Sequence, residues 1–169
     1  EQVVTFEGPG TIATILMESV VGTAGVLIPP PGYLEGVRAL CDKHGIVLIL
    51  DEVMAGFGRC GTMFAFEAYG VVPDLVTMGK GITSGHAPLG AVAVHRRIAE
   101  RFDERPLVTG LTHIAHPVSL AALEGNLAAF RDDSLLERSR ALGERLAAWL
   151  AETKPRHPAI ADVRSRGLY

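Results

Sequence analysis

The sequence predicts an α/β fold in which an open, mostly parallel sheet is covered by helices. Residues 46–50 (IVLIL) are consecutive apolar residues with β-branched content, which is typical of a strand covered on both faces. Residues 33–44 before them carry apolar side chains at helical spacing and are followed by Gly45, where a helix C-cap glycine belongs. Residues 12–17 (IATILM) form an earlier apolar run of strand length. Together these segments predict a βαβ unit, whose two strands pair in parallel.

The elements that follow extend the same pattern. Strands are predicted at residues 75–78 and 90–94, and a helical segment at residues 95–102. Residues 118–130 are rich in alanine and leucine, and residues 135–150 carry an apolar stripe with a 3.6-residue period, so two long helices are expected.

The end of the sequence predicts a domain boundary. Two prolines in residues 154–158 break the helical pattern, and a new short element is expected near Ile160. We therefore divide the chain into part of a large domain (1–116), linking helices (117–153) and the start of a small C-terminal domain (154–169).

The composition excludes several classes of function. The formal net charge is −3, with both signs scattered along the chain, so a nucleic-acid partner is not expected. No apolar run approaches the length of a membrane span, and no secretory leader is visible in residues 1–20, so we expect a cytoplasmic protein without a membrane partner. The two cysteines, Cys41 and Cys60, lack metal-ligand spacing, so no metal is expected.

Asp51 is the first candidate for a functional residue. It follows the strand at 46–50 directly, which places it at the carboxyl edge of a parallel sheet, where open α/β folds bind ligands. The alternative is that Asp51 or Glu52 only caps the following turn. A nucleotide-hydrolase acid is disfavoured, because the phosphate loop G-x-x-x-x-G-K-[ST] is absent from the chain.

Lys80 is the second candidate. The segment TMGKGITSG places it among three glycines and three small hydroxyl residues, immediately after a predicted strand. A ligand could approach a lysine with such small neighbours, and partial burial would favour the neutral amine that carbonyl addition requires. The alternative is an ordinary loop lysine. A Schiff-base lysine and an acid that keeps a pyridine nitrogen protonated are the two protein groups that pyridoxal 5′-phosphate (PLP) chemistry needs.

The motifs around these residues resemble the central block of class III, or omega-type, aminotransferases over about residues 12–130. The most specific features are Asp-Glu-Val at 51–53, the Gly-Phe-Gly-Arg-x-Gly turn at 56–61, and Pro-Asp at 73–74 before the strand that leads to the lysine. The interval of 29 residues between Asp51 and Lys80 also matches the family.

The resemblance implies the large domain of a fold-type-I PLP enzyme and a role for several residues. Lys80 corresponds to the lysine that forms the internal aldimine and moves the proton between the substrate α-carbon and C4′ of the cofactor. Asp51 resembles the partner of the pyridine nitrogen, and Val53 the apolar residue on one face of the ring. Thr112 resembles the threonine that reaches the cofactor phosphate of the neighbouring subunit in a homodimer, although residues 113–115 depart from the family pattern.

Other residues retain two interpretations. Glu18 stands where the family places a glutamate on the substrate side of the cofactor, but it could equally be a carboxylate paired within the scaffold; Ser19 replaces the usual proline. For His86 and His116 a packing role is favoured over catalysis. Arg59 is expected to be a structural tie. Cys60 and Gly79 stand where threonine and alanine are commoner in the family.

The activity implied by the resemblance is amino transfer in two halves. An amine or amino acid donor gives its amino group to the cofactor, and a keto acid or aldehyde then accepts it, with ping-pong kinetics. A class III racemase, aminomutase or decarboxylase, or a non-catalytic dimerisation fragment, remains an alternative. The resemblance places the phosphate-binding loop before Glu1 and a substrate-facing arginine after Tyr169, so these 169 residues alone are expected to bind PLP weakly.

Overall fold

A four-stranded sheet forms the centre of the computed structural model, which describes residues 1–169. The strands lie side by side in chain order: β1 (Thr14–Glu18), β2 (Val47–Asp51), β3 (Leu75–Met78) and β4 (Ala91–Val94). The first three are parallel, and β4 runs antiparallel to β3 at one edge. The mostly parallel sheet predicted from the sequence is confirmed.

The helices surround this sheet. They are α1 (Gln2–Glu7), α2 (Tyr33–His44), α3 (Arg96–Ala99), α4 (Pro117–Asp132) and α5 (Leu135–Thr153). Helix α2 has the predicted bounds, and Gly45 ends it in the left-handed conformation with φ 68°. The two long helices are confirmed, whereas α1 was not predicted. No helix combines the length and the hydropathy needed to cross a bilayer.

The main core lies between α2 and one face of the sheet. Leu34 and Cys41 of α2 pack in one cluster with Leu48 and Leu50 of β2, and all four are fully buried. Cys41 is part of this core, and its burial raises the pKa of the thiol. The other face of β2 is only half-buried, although the apolar run predicts a strand covered on both faces. Asp51 lies on that half-buried face, because side chains alternate along a strand.

The last residues form no helix or strand, so the expectation of a new element near Ile160 is wrong. Residues 167–169 instead lie against the turn at 59–61. The Leu168 N–H donates to the Arg59 carbonyl oxygen at 2.9 Å, and Arg59 Nη1 donates to the Leu168 carbonyl oxygen at 3.3 Å. Arg59 is therefore a structural tie, as expected, and these contacts supply backbone partners that a strand or helix would otherwise provide. The division into domains stays a prediction.

A buried aspartate joins three elements beside the sheet. The carboxylate of Asp74 accepts from the Leu48 N–H at 2.8 Å, from Arg38 Nη1 at 3.0 Å and from Arg97 Nε at 2.8 Å. Burial pushes the pKa of Asp74 upward, but the Leu48 N–H and the two guanidinium groups outweigh it and hold the pKa below its ordinary value. Asp74 therefore fixes α2 and α3 to the strand that ends at Asp51.

Replacing Asp74 with asparagine should lower the free energy of unfolding at pH 7 by about 1–3 kcal/mol, because it weakens charged hydrogen bonds in a buried site. The pKa of Asp74 is lower in the folded than in the unfolded chain, so its stabilising contribution is present above the unfolded pKa of about 3.9. That contribution is lost as the pH falls through the folded pKa. The free energy of unfolding, measured with urea across this acid pH range, should change less with pH in Asp74→Asn than in the parent protein.

Asp42→Asn is the matched control. Asp42 pairs with the same Arg38 at 2.8 Å but is exposed, so its removal should change stability by less than about 1 kcal/mol. Equal losses in Asp74→Asn and Asp42→Asn would contradict the importance of the buried cluster.

Candidate active site

The carboxyl ends of β1, β2 and β3 bring three predicted residues to one edge of the sheet. Glu18 lies opposite Asp51 in the β1–β2 register, and Asp51 lies opposite Thr77 in the β2–β3 register. Lys80 follows the end of β3 at Met78 by two residues. Neighbouring strands are about 4.8 Å apart, so Glu18 and Asp51 lie in adjacent positions, and Lys80 follows the next strand at the same edge.

Asp51 both caps a turn and keeps an oxygen available. Its Oδ1 accepts from the Val53 N–H at 2.9 Å, which is the turn-capping contact considered for this residue. Its Oδ2 has no hydrogen-bond partner in the chain. The half-buried carboxylate can therefore accept one further hydrogen bond, as a protonated ring nitrogen would require.

Lys80 is exposed, and it begins a short 3₁₀ turn over Lys80–Ile82. The partial burial expected for it is not seen, because glycines and small hydroxyl residues surround it and cannot cover a long side chain. Its backbone has φ 43°, in the left-handed region that is unfavourable for residues other than glycine. No ion pair holds its amine. Such strain at an accessible nucleophile is typical of functional sites, where the surrounding structure maintains it.

The turn that follows β2 packs directly against the backbone on both sides of Lys80. A Cβ atom on Gly79 would lie 3.3 Å from Val53 Cγ1, and a Cβ atom on Gly81 would lie 2.7 Å from Phe57 Cβ. The alanine that is commoner in the family at position 79 would therefore require Val53 to shift slightly. Val53 and Phe57 thus hold the Lys80 segment close to the strand that carries Asp51.

Lys80 opens onto a cleft of about 810 Å³, which is within the range of small-molecule sites. Val53 and Phe57 contribute apolar wall, and Ser84 and Tyr169 also line it. Asp51 is not part of the lining and lies two residues before Val53. An accessible amine, an apolar wall and a carboxylate with a free oxygen are the groups that the aldehyde and ring of PLP take from a protein, so the residues present fit this part of the cofactor.

Glu18 has a partner within the scaffold. Its Oε2 accepts from the Gly22 N–H at 3.0 Å, which closes the turn after β1. The Tyr169 hydroxyl packs against this same turn. A Cβ atom added to Gly22 would lie 1.7 Å from the Tyr169 hydroxyl oxygen. The structure thus contains the scaffold contact that was one of the two interpretations of Glu18. Its role on the substrate side stays a prediction.

Glu52, next to Asp51, has a structural role that the sequence does not reveal directly. It is fully buried, accepts from the Ser19 hydroxyl and from the Ala65 N–H at 2.8 Å, and takes a third bond from the Phe66 N–H at 3.2 Å. Burial raises the pKa of Glu52, although these three donors oppose the shift. A signal was available, since Glu52 continues the alternation of Leu48 and Leu50 and so falls on the core face.

Thr112 lies apart from Lys80 in its own chain. It is exposed and lines a second cleft with His113, His116 and Ser119, none of which lines the Lys80 cleft. His116 Nδ1 accepts from the Val118 N–H at 3.3 Å and so caps α4, which agrees with the packing role expected for it. The role of Thr112 at a neighbouring subunit's phosphate stays a prediction.

Comparison with known proteins gives matches over the whole chain. The profile described as "Aminotransferase class-III" matches residues 2–169. The chain is 43% identical over 174 residues to an omega-aminotransferase of Caulobacter vibrioides, with 99% of this chain and 39% of that protein covered. It is 38% identical over 179 residues to a hypotaurine/taurine–pyruvate aminotransferase of Paracoccus denitrificans, with 100% of this chain and 38% of that protein covered.

A solved structure shares the fold. The taurine:2-oxoglutarate aminotransferase from Bifidobacterium kashiwanohense, in complex with PLP and glutamate, superposes with a TM-score of 0.97 and 42% identity. The match covers 99% of this chain and 38% of that one. The chain therefore spans less than two fifths of the length of the relatives that it matches.

Proposed function

Because this chain belongs to the class III aminotransferase family, we propose that the protein transfers an amino group from an amine or amino acid to a keto acid or aldehyde with PLP as its cofactor. The single observation that carries this proposal is the arrangement at the sheet edge. Asp51 ends β2, Lys80 follows β3, and the turn after Asp51 packs against the backbone around Lys80. These are the two groups that PLP chemistry takes from a protein.

Each residue then has a defined task. PLP, when bound, supplies the electron sink for the substrate carbon. Lys80 Nζ would hold the cofactor by its carbonyl group, and as a free amine it would take and return a proton at the reacting carbon. Asp51 would keep the ring nitrogen protonated, because a carboxylate stabilises an adjacent positive charge. Val53 would help to orient the ring by apolar packing and would exclude water from it.

The names of two relatives support a class of donor. Both are named for taurine, whose amino group is not on a carbon that carries a carboxylate. We therefore extend the proposal to donors with a primary amine remote from any carboxylate, with a keto acid as acceptor. In a homodimer, Thr112 would bind the cofactor phosphate of the neighbouring subunit. Its exposed position outside the Lys80 cleft of its own chain supports this assignment.

The test is a half-reaction in the full-chain protein loaded with PLP. Taurine and alanine are offered separately, without an acceptor, and the amount of carbonyl product released from each donor is measured. We expect one equivalent of product per active site from taurine, and further release only when a keto acid is added. A racemised or decarboxylated donor without stoichiometric carbonyl product would contradict amino transfer. The absence of visible-range absorbance after PLP addition would indicate a non-catalytic protein.

A further inference from the structure

We propose that Asn126 is a positioning residue for Lys80, an inference that rests on the proposed function. Asn126 lies in α4, and only 8% of its surface is exposed. All the hydrogen bonds of its side chain go to the turn that follows the lysine. The structure thus assigns a residue 46 positions away in sequence to the geometry of the reactive amine.

The side-chain amide of Asn126 makes three hydrogen bonds in this contact. Its Nδ2 donates to the Gly81 carbonyl oxygen at 2.9 Å and to the Ile82 carbonyl oxygen at 3.1 Å. Its Oδ1 accepts from the Ser84 hydroxyl at 2.7 Å. Both protons and one lone pair of the buried amide therefore fix a single backbone segment, which begins at the residue after Lys80.

This segment combines a strained backbone with two long hydrogen bonds of its own, from the Thr83 N–H to the Lys80 carbonyl oxygen and from the Ser84 N–H to the Gly81 carbonyl oxygen at 3.3 Å. Lys80 and Ser84 both have positive φ, 43° and 50°, so the segment is strained at each end. The Thr83 N–H reaches the Lys80 carbonyl oxygen only at 3.4 Å. On the other side Phe57 packs against Gly81. The turn is therefore held between the Phe57 side chain and the Asn126 amide.

A purely structural interpretation is that any buried asparagine must find partners. The hydrogen-bond partners of Asn126 indicate a more specific role in holding the Lys80 turn. Ser119, an equally buried polar residue of the same helix, donates to the Pro88 carbonyl oxygen at 2.9 Å, away from the lysine. Asn126 alone among the α4 side chains hydrogen-bonds the Lys80 turn, so its loss should release the lysine backbone while loss of the Ser119 hydroxyl should not.

The experiment uses the full-chain protein and three variants of this contact. Asn126→Leu has similar volume and loses all three hydrogen bonds. Asn126→Asp retains an acceptor for Ser84 but cannot donate to the two carbonyls. Ser84→Ala retains both donors of Asn126. Ser119→Ala is the matched control on the same helix.

Two measurements are made on each protein without substrate. Borohydride trapping with PLP followed by peptide mapping gives the rate at which Lys80 is captured, and amide hydrogen exchange followed by mass spectrometry reports the opening of residues 80–84. We expect capture about 10- to 100-fold slower in both Asn126 variants, with faster exchange in the turn, because small displacements of reacting groups have effects of this size. Ser119→Ala should remain within about threefold of the parent protein, and Ser84→Ala should lie between the parent and the Asn126 variants, because it removes one of the three hydrogen bonds.

The outcomes separate this inference from the proposed function. If Lys80 of the parent protein is not captured at all, the proposed function is wrong. If Lys80 of the parent is captured and Asn126→Asp reacts at the parent rate, the positioning role is overturned while the function stands. Slow capture in Ser119→Ala, equal to that of the Asn126 variants, would also overturn it by showing a general effect of α4 stability. Should Asn126→Leu fail to fold, the comparison of Asn126→Asp with Ser119→Ala decides.

Discussion

Replacing Lys80 with alanine will abolish the absorbance of the linkage between lysine and PLP and lower the rate of amino transfer by at least about 10³-fold, because covalent catalysis loses its nucleophile. The chain contains two other lysines, and neither lies at a strand end. Lys43 belongs to α2, where its Nζ is 3.1 Å from Glu1 Oε1, and Lys154 begins a short 3₁₀ turn after α5. No other amine of the chain can therefore replace Lys80 in the cleft.

Borohydride reduction in the presence of PLP, followed by peptide mapping, measures this assignment directly. The label should appear on the peptide that contains Lys80 and disappear in Lys80→Ala. Lys43→Ala is the matched control and should retain both the label and the absorbance. A stoichiometric label on Lys43 or Lys154 would refute the assignment of Lys80.

Replacing Asp51 with asparagine should leave PLP able to bind but slow the donor half-reaction by about 10²-fold or more, because an amide cannot hold a positive charge on the ring nitrogen. The variant preserves the local turn, since an asparagine Oδ1 can still accept from the Val53 N–H. The expected loss is thus a loss of charge and not of structure. Single-turnover rates in the full-chain protein measure it.

Asp42→Asn makes the same chemical change on the exposed face of α2 and should leave the single-turnover rate unaltered. A parent-like rate in Asp51→Asn would exclude the assigned role. Slow turnover accompanied by a large loss of thermal stability would point instead to the turn contact with Val53.

The sequence by itself placed Asp51 and Lys80 directly after two strands of one sheet. The apolar run before Asp51 is typical of a strand, Gly45 ends the helix before it, and a second apolar run leads to Lys80. Parallel strands present their carboxyl ends at one edge, so local periodicity was sufficient to bring acid and lysine to the same side. These features depend on neighbours a few residues apart, which is why they can be seen in a linear chain.

Only the tertiary structure decided how that pair is held. The three donors to Glu52, the packing of Phe57 on Gly81 and the hydrogen bonds from Asn126 to the Lys80 turn all join segments that no local pattern relates. The exposure of Lys80 and the return of residues 167–169 to the turn at Arg59 likewise depend on which surfaces meet. Such contacts form because buried polar groups must find partners once the sheet and helices have packed, and the sequence does not specify beforehand which partners will be within reach.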